Sequence, residues 1–240
     1  MKETIEGIVL NETNYGENSK ILNILTYEHG YISVISKGSR TLKSKLRGIS
    51  MKLVFANFTI KYKENGISIL IEGNVINSLK YILSDFEKIN YANYLISIYK
   101  SILKDNNEKE LYPILKNALL KINDNFSPIL ITNIVEVKLL KYLGVKPNFN
   151  ECILCSSKDI ITFDINLGGV VCKHCYQDTY LFQSNTLKLL KLFQEVDLEK
   201  IDKLNITNLK VKEEINEFIN EYYELYTGIY IKKRDYLKLN

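Results

Sequence analysis

The spacing of hydrophobic and polar residues changes near residue 80. Upstream, apolar positions come in short runs: Ile5 to Leu10, Ser19 to Tyr27 and, after a turn at His29-Gly30, Tyr31 to Ser36. Phe58-Thr59-Ile60-Lys61-Tyr62-Lys63 alternates with period two, so a strand there puts Phe58, Ile60 and Tyr62 on one face and Lys61 and Lys63 on the other. Asn65-Gly66 is a turn signal before a last run, Ile67 to Ile71. About five short strands in so little chain predict a small β-barrel.

Downstream the apolar period becomes helical. Ser84-Asp85-Phe86-Glu87 has the form of a capping box and predicts a helix to about Lys104, with Ile89, Leu95, Ile98, Ile102 and Leu103 among its apolar positions. A second helix is expected from about Glu108 to Lys121. Ser127-Pro128 supplies an N-cap and a first-turn proline for a helix reaching Leu143, with Gly144 and Pro147 as stop signals. That helix is apolar around much of its circumference, which predicts central burial. Two more are expected at about Asn185–Glu195 and Val211–Thr227, the last with Val211, Ile215, Phe218, Ile219, Tyr222 and Tyr226 on one stripe. The reading is an α+β chain: a barrel domain over residues 1–80, then a helical domain over 81–240.

Charge changes this picture by being unevenly placed. The net charge is +4; residues 1–80 hold 11 basic and 7 acidic side chains, and residues 81–240 hold 21 of each. No acidic residue lies between Glu28 and Glu64, a stretch that carries Lys37, Arg40, Lys43, Lys45, Arg47, Lys52, Lys61 and Lys63. A stretch of one sign suits a polyanion, and an OB-fold is the commonest barrel of this size that binds nucleic acid. The competing reading is a solvated basic face on a lysine-rich chain. Lys37 to Arg47 is expected to hang from the barrel rim as a loop, with Gly38, Ser39 and Ser44 giving it the flexibility to follow a phosphate backbone. Tyr31, Phe58 and Tyr62 are candidate base-stacking groups, though their alternation suits a barrel core better.

The four cysteines fall as two pairs, Cys152-Ile153-Leu154-Cys155 and Cys172-Lys173-His174-Cys175, with sixteen residues between. Two intervening residues let one tight turn aim two sulfurs at a point, and four thiolates close a tetrahedral zinc site with no position left for water. The expectation is one structural Zn2+ on a zinc-ribbon insertion spanning about 150–176. Ile160-Ile161-Thr162-Phe163 would form a strand, Gly168-Gly169 a turn and Val170-Val171 the return. Two disulfides or a redox pair are the competing readings, the first requiring an oxidising compartment. His174 is either a substitute ligand or an exposed turn residue.

Other chemistries lack their residues. No G-x-x-x-x-G-K-[ST] or G-x-G-x-x-G is present, and His29 and His174 are the only histidines. Neither C-x-x-C has the preceding proline of a zinc deaminase. No paired-carboxylate constellation is evident, so a binding protein is expected rather than an enzyme. No apolar run approaches the length of a membrane span, and Met1-Lys2-Glu3-Thr4 is polar and leads into the first strand. A cytoplasmic, membrane-free protein is the expectation.

Taken in order along the chain, these segments resemble the RecO family of bacterial DNA repair and recombination mediators. The matching residues are Gly7-Ile8-Val9-Leu10, Tyr15-Gly16-Glu17, Thr26 and His29-Gly30; the basic run Lys37-Gly38-Ser39-Arg40-Thr41-Leu42-Lys43-Ser44-Lys45-Leu46; Leu139 to Pro147 ahead of Cys152; and Gly168-Gly169-Val170-Val171 ahead of Cys172. The tail Lys232-Lys233-Arg234-Asp235-Tyr236-Leu237 is similar to a family motif with serine where Lys233 stands. The resemblance implies binding of single- and double-stranded DNA and annealing of complementary strands. It also implies help from RecR in loading RecA onto DNA coated by single-strand-binding protein, contact with that protein's C-terminal tail, and nucleoid association. Phosphate contacts are expected at Lys37, Arg40, Lys43, Lys45 and Arg47, and metal ligation at Cys152, Cys155, Cys172 and Cys175. Lys232-Lys233-Arg234 is either a second DNA or tail-peptide contact or a solvated terminus. The alternative class is a zinc-ribbon nucleic-acid-binding protein of transcription or RNA processing.

Overall fold

The structure, a computed structural model, describes residues 2–103 and 108–229. The basic cluster Lys232-Lys233-Arg234 lies outside the described residues. Two compact units emerge: Met1–Ala92 with Leu103–Asp124, and Asn93–Ile102 with Asn125–Asn240.

The first unit is built on five strands, β1 (Lys2–Tyr15), β2 (Ser19–Thr26), β3 (Gly30–Ser36), β4 (Phe55–Lys61) and β5 (Ser68–Asn77). They close in the order β1-β2-β3-β5-β4, with β4 returning to β1. All pairings are antiparallel except β3 with β5. This is the OB arrangement. Closure depends on β1 serving two partners: Lys2 to Ile8 pair with β4, Gly7 to Tyr15 with β2, and a bulge between Val9 and Asn11 turns the strand. The alternation in β4 is realised, with Phe58 and Ile60 in the core beside Ile5, Val9, Leu22 and Ile24, and Lys61 and Lys63 exposed. Packing is close enough that a Cβ on Gly73 would stand 2.5 Å from the Asn57 carbonyl oxygen.

Helices α1 (Lys80–Leu83), α2 (Phe86–Ile102) and α3 (Leu111–Asn123) follow. The N-cap falls one residue later than the expected capping box. Ser84 closes α1, and the Asp85 carboxylate accepts the Lys88 N–H at 3.0 Å at the start of α2. The fold places α3 in the first unit, because Glu6 on β1 accepts from both Tyr112 (2.8 Å) and Lys116 (2.7 Å). Burial, then the Glu6 carboxylate, hold the Tyr112 hydroxyl far above the usual tyrosine pKa.

The second unit is centred on α4 (Pro128–Tyr142), buried from Leu130 to Val137 and again at Leu139 and Leu140. It ends as its residues dictate: Gly144 takes φ +76°, its N–H donates to Lys141 and that of Val145 to Leu140, the paired bonds of a Schellman stop. The hairpin β6 (Ile160–Asp164) and β7 (Gly169–Cys172) comes next, then α5 (Ser184–Glu195) and α6 (Leu209–Tyr226). The α6 stripe packs as its period predicts, with Phe218 against Phe163 of β6 at 4.9 Å between ring centroids. No helix among the described residues is long and apolar enough to cross a membrane.

Candidate metal centre and nucleic-acid interface

The thiol cluster begins as backbone geometry. Asn148 to Ile153 lies alongside β7: Asn148 N–H donates to Gly168, Val170 N–H to Asn148, and Ile153 N–H to Val170. The Ile153 side chain needs the bare Cα of Gly169, where a Cβ would approach to 2.7 Å. Ser156, at φ +59°, turns the chain so that its N–H donates to the Cys152 carbonyl. At the other end β7 delivers Cys172, and Cys175 N–H donates back to its carbonyl at 3.1 Å. Tyr226 of α6 points its hydroxyl at the Ile165 and Asn166 carbonyls, each at 2.8 Å, and so pins the hairpin turn.

These constraints bring the four sulfurs within 4.8 Å of one another. Cys155 and Cys172 sulfurs stand 3.6 Å apart, far beyond a disulfide bond of about 2.05 Å. The distance is close to the ~3.8 Å edge of a tetrahedron with ~2.3 Å metal–sulfur bonds. The donor set therefore fits a thiophilic divalent ion such as zinc. Cys152 and Cys172 are buried, Cys155 is exposed, and all four are free thiols. Burial raises the Cys152 thiol, but backbone N–H groups, that of Cys172 foremost, outweigh it and bring it down to about 6. Hydrogen bonding with Cys155, then burial, pushes Cys175 up to about 12. His174 is exposed and is absent from the converging group.

The basic segment lies between β3 and β4 and is more ordered than its glycine and serines suggest. Ser39 is buried and donates to the Ser36 carbonyl at 2.9 Å, while Ser36 and Ser50 hydroxyls bond to each other at 2.8 Å. Successive turns follow, with Thr41 N–H to Gly38, Ser44 N–H to Thr41 and Arg47 N–H to Ser44. The serines anchor the loop rather than loosen it. Lys37, Arg40, Lys43, Lys45 and Arg47 are all exposed, and no ion pair holds any of them among the described residues.

Arg40 differs from its neighbours. Its guanidinium donates to the carbonyls of Gly16 (3.2 Å) and Glu17 (2.9 Å), and its N–H to that of Asn18 (3.0 Å). It thus ties the basic loop to the β1–β2 turn, a neighbour that the sequence reads only as part of the opening strands. The available signal was the Gly16 turn itself, which takes φ +59°. Lys20 is occupied by Glu12 at 2.5 Å. Phe58 is fully buried, and Tyr31 accepts from the Asn23 amide at 2.5 Å. Tyr62 stacks on His29, with 3.9 Å between ring centroids.

An OB barrel with a carboxylate-free basic loop, followed by a helical region with a four-thiol cluster at its β6–β7 hairpin, defines the class. Residues 1–79 match the family Recombination protein O N terminal, and residues 83–235 match Recombination protein O C terminal. The chain belongs to the RecO family. It is 32% identical to a DNA repair protein RecO of Bacillus cytotoxicus, over 99% of this chain and 97% of that protein. It is 32% identical to that of Bacillus subtilis and 28% to that of Halalkalibacterium halodurans, each over 97% of this chain and 92% of the relative.

Proposed function

We propose that this chain is a DNA repair and recombination mediator that binds single- and double-stranded DNA and anneals complementary strands. With RecR it helps RecA load onto DNA coated by single-strand-binding protein, whose C-terminal tail it contacts. It works in the cytoplasm at the nucleoid, as a binding protein without turnover. DNA lies on the barrel domain of residues 1–80, and the domain of residues 81–240 carries one structural zinc ion on Cys152, Cys155, Cys172 and Cys175. The observation that supports this reading most is the ordered loop of Lys37, Lys43, Lys45 and Arg47, exposed and without carboxylate partners among the described residues. Two DNA backbones repel each other, and a cationic surface lowers the work of bringing them together.

Four phosphate contacts give a log–log salt slope of about −2.8 on single strands, at about −0.7 each. Reversing Lys43 and Lys45 to Glu is expected to flatten that slope and slow annealing. The decisive assay is annealing of strands coated by single-strand-binding protein, with and without RecR. A slope untouched by the charge reversals, or a preference for structured RNA with no annealing, would rule the reading out.

A further inference from the structure

Two exposed apolar side chains lie on the two turns that Arg40 joins. Leu42 is 84% exposed, more than any other large apolar side chain among the described residues, and Tyr15 at the end of β1 is 53% exposed. Isolated exposed apolar residues are ordinary. These two are set apart by where they are held. Leu42 lies inside the Thr41–Ser44 turn, closed by Ser44 N–H to Thr41 at 3.1 Å and backed by the Thr41 hydroxyl on the Gly38 carbonyl at 2.9 Å. Tyr15 faces Ser19 across the mouth of the β1–β2 turn. The three Arg40 bonds join those two turns, and Gly38 N–H adds a fourth, to the Ser19 hydroxyl at 3.3 Å.

We propose that Tyr15 and Leu42 form a base-contact pair, held on adjoining turns by Arg40, that lies against unpaired bases of single-stranded DNA while Lys37, Lys43, Lys45 and Arg47 meet its phosphates. The inference rests on the reading that the basic loop binds DNA. A strand whose phosphates sit on these cations carries its bases within reach of the same rim. Unpaired bases present π-faces and apolar edges that an aromatic ring stacks on and an aliphatic wedge supports. The turns are ordered beforehand, so binding spends little conformational entropy on them. Glu17, the exposed acid of the β1–β2 turn, repels phosphate and leaves the backbone to the loop side. Arg40 acts here as a positioning residue.

The chain contains no tryptophan. Tyr15→Trp and Leu42→Trp therefore each introduce a single reporter at an exposed position. Each is titrated with an oligothymidylate and with an abasic oligonucleotide of equal length and charge. Quenching by the first and little change with the second is expected. The Tyr15→Ala/Leu42→Ala variant should bind oligothymidylate about 5- to 150-fold more weakly, given stacking of roughly 1–3 kcal/mol per base. It should bind the abasic strand as before, with the same salt slope. Equal quenching by both strands, or an equal loss of affinity for both, would overturn the pair. If reversing Lys43 and Lys45 changes neither affinity, the phosphate reading fails instead, and quenching alone then decides the base contacts.

Discussion

Arg40 is one residue on which two roles can be separated. Its two guanidinium bonds go to backbone carbonyls, which have no charge to screen, so its structural part does not depend on salt. Arg40→Ala removes both bonds and leaves two exposed carbonyls to water. The expected result is about 1–2 kcal/mol lower stability in urea unfolding and weaker binding of single strands with the salt slope unchanged. A slope reduced by about 0.7 would instead make Arg40 a direct phosphate contact. In sequence Arg40 is indistinguishable from Lys43 or Arg47, because nothing local shows that its partners are Gly16 and Glu17.

At the scale of elements, α5 begins without a capping side chain of its own: Gln183 makes no such bond. The acceptor comes from α6. Glu214, 1% exposed, takes the Gln183 N–H at 3.0 Å, the Tyr180 hydroxyl at 3.1 Å and the Thr186 hydroxyl. A carboxylate at a helix N-terminus is favoured by the helix dipole as well as by these donors. Glu214→Ala strands three donors and is expected to cost roughly 2–4 kcal/mol, read as a lower midpoint in denaturant. Glu214→Gln keeps the shape and should cost less, since only part of the acceptor capacity is lost. Equal stability of the alanine variant and the parent would show that water replaces the carboxylate.

For the whole molecule, the charge excess and the metal centre occupy different parts of the chain. Every cysteine lies in the second unit, and the basic loop lies in the first. Metal binding by thiolates is lost on chelation, and also on acidification, because protons compete for the sulfurs. Chelation is expected to release one equivalent of zinc and to lower the melting temperature through residues 148–176. DNA affinity should stay within about twofold, the size of a binding change below ~0.4 kcal/mol. Joint loss of metal and DNA binding would mean that the cysteines support the DNA surface after all.

The local patterns were legible in the chain itself. Period two gave β4, period 3.6 gave α6, and Ser127-Pro128 and Gly144 marked the ends of the all-round apolar α4. The cysteine spacing foretold the convergence of four sulfurs, because a two-residue turn fixes two ligands at once. The outer half of β1, Asn11 to Tyr15, was invisible: it is polar, and its ladder to β2 holds it in place. The closure of β1 on β4, the bond of Glu6 to α3, the Arg40 clamp and the Glu214 cap were equally beyond reach. Each joins residues far apart in the chain, and only the folded backbone determines which distant donor meets which acceptor.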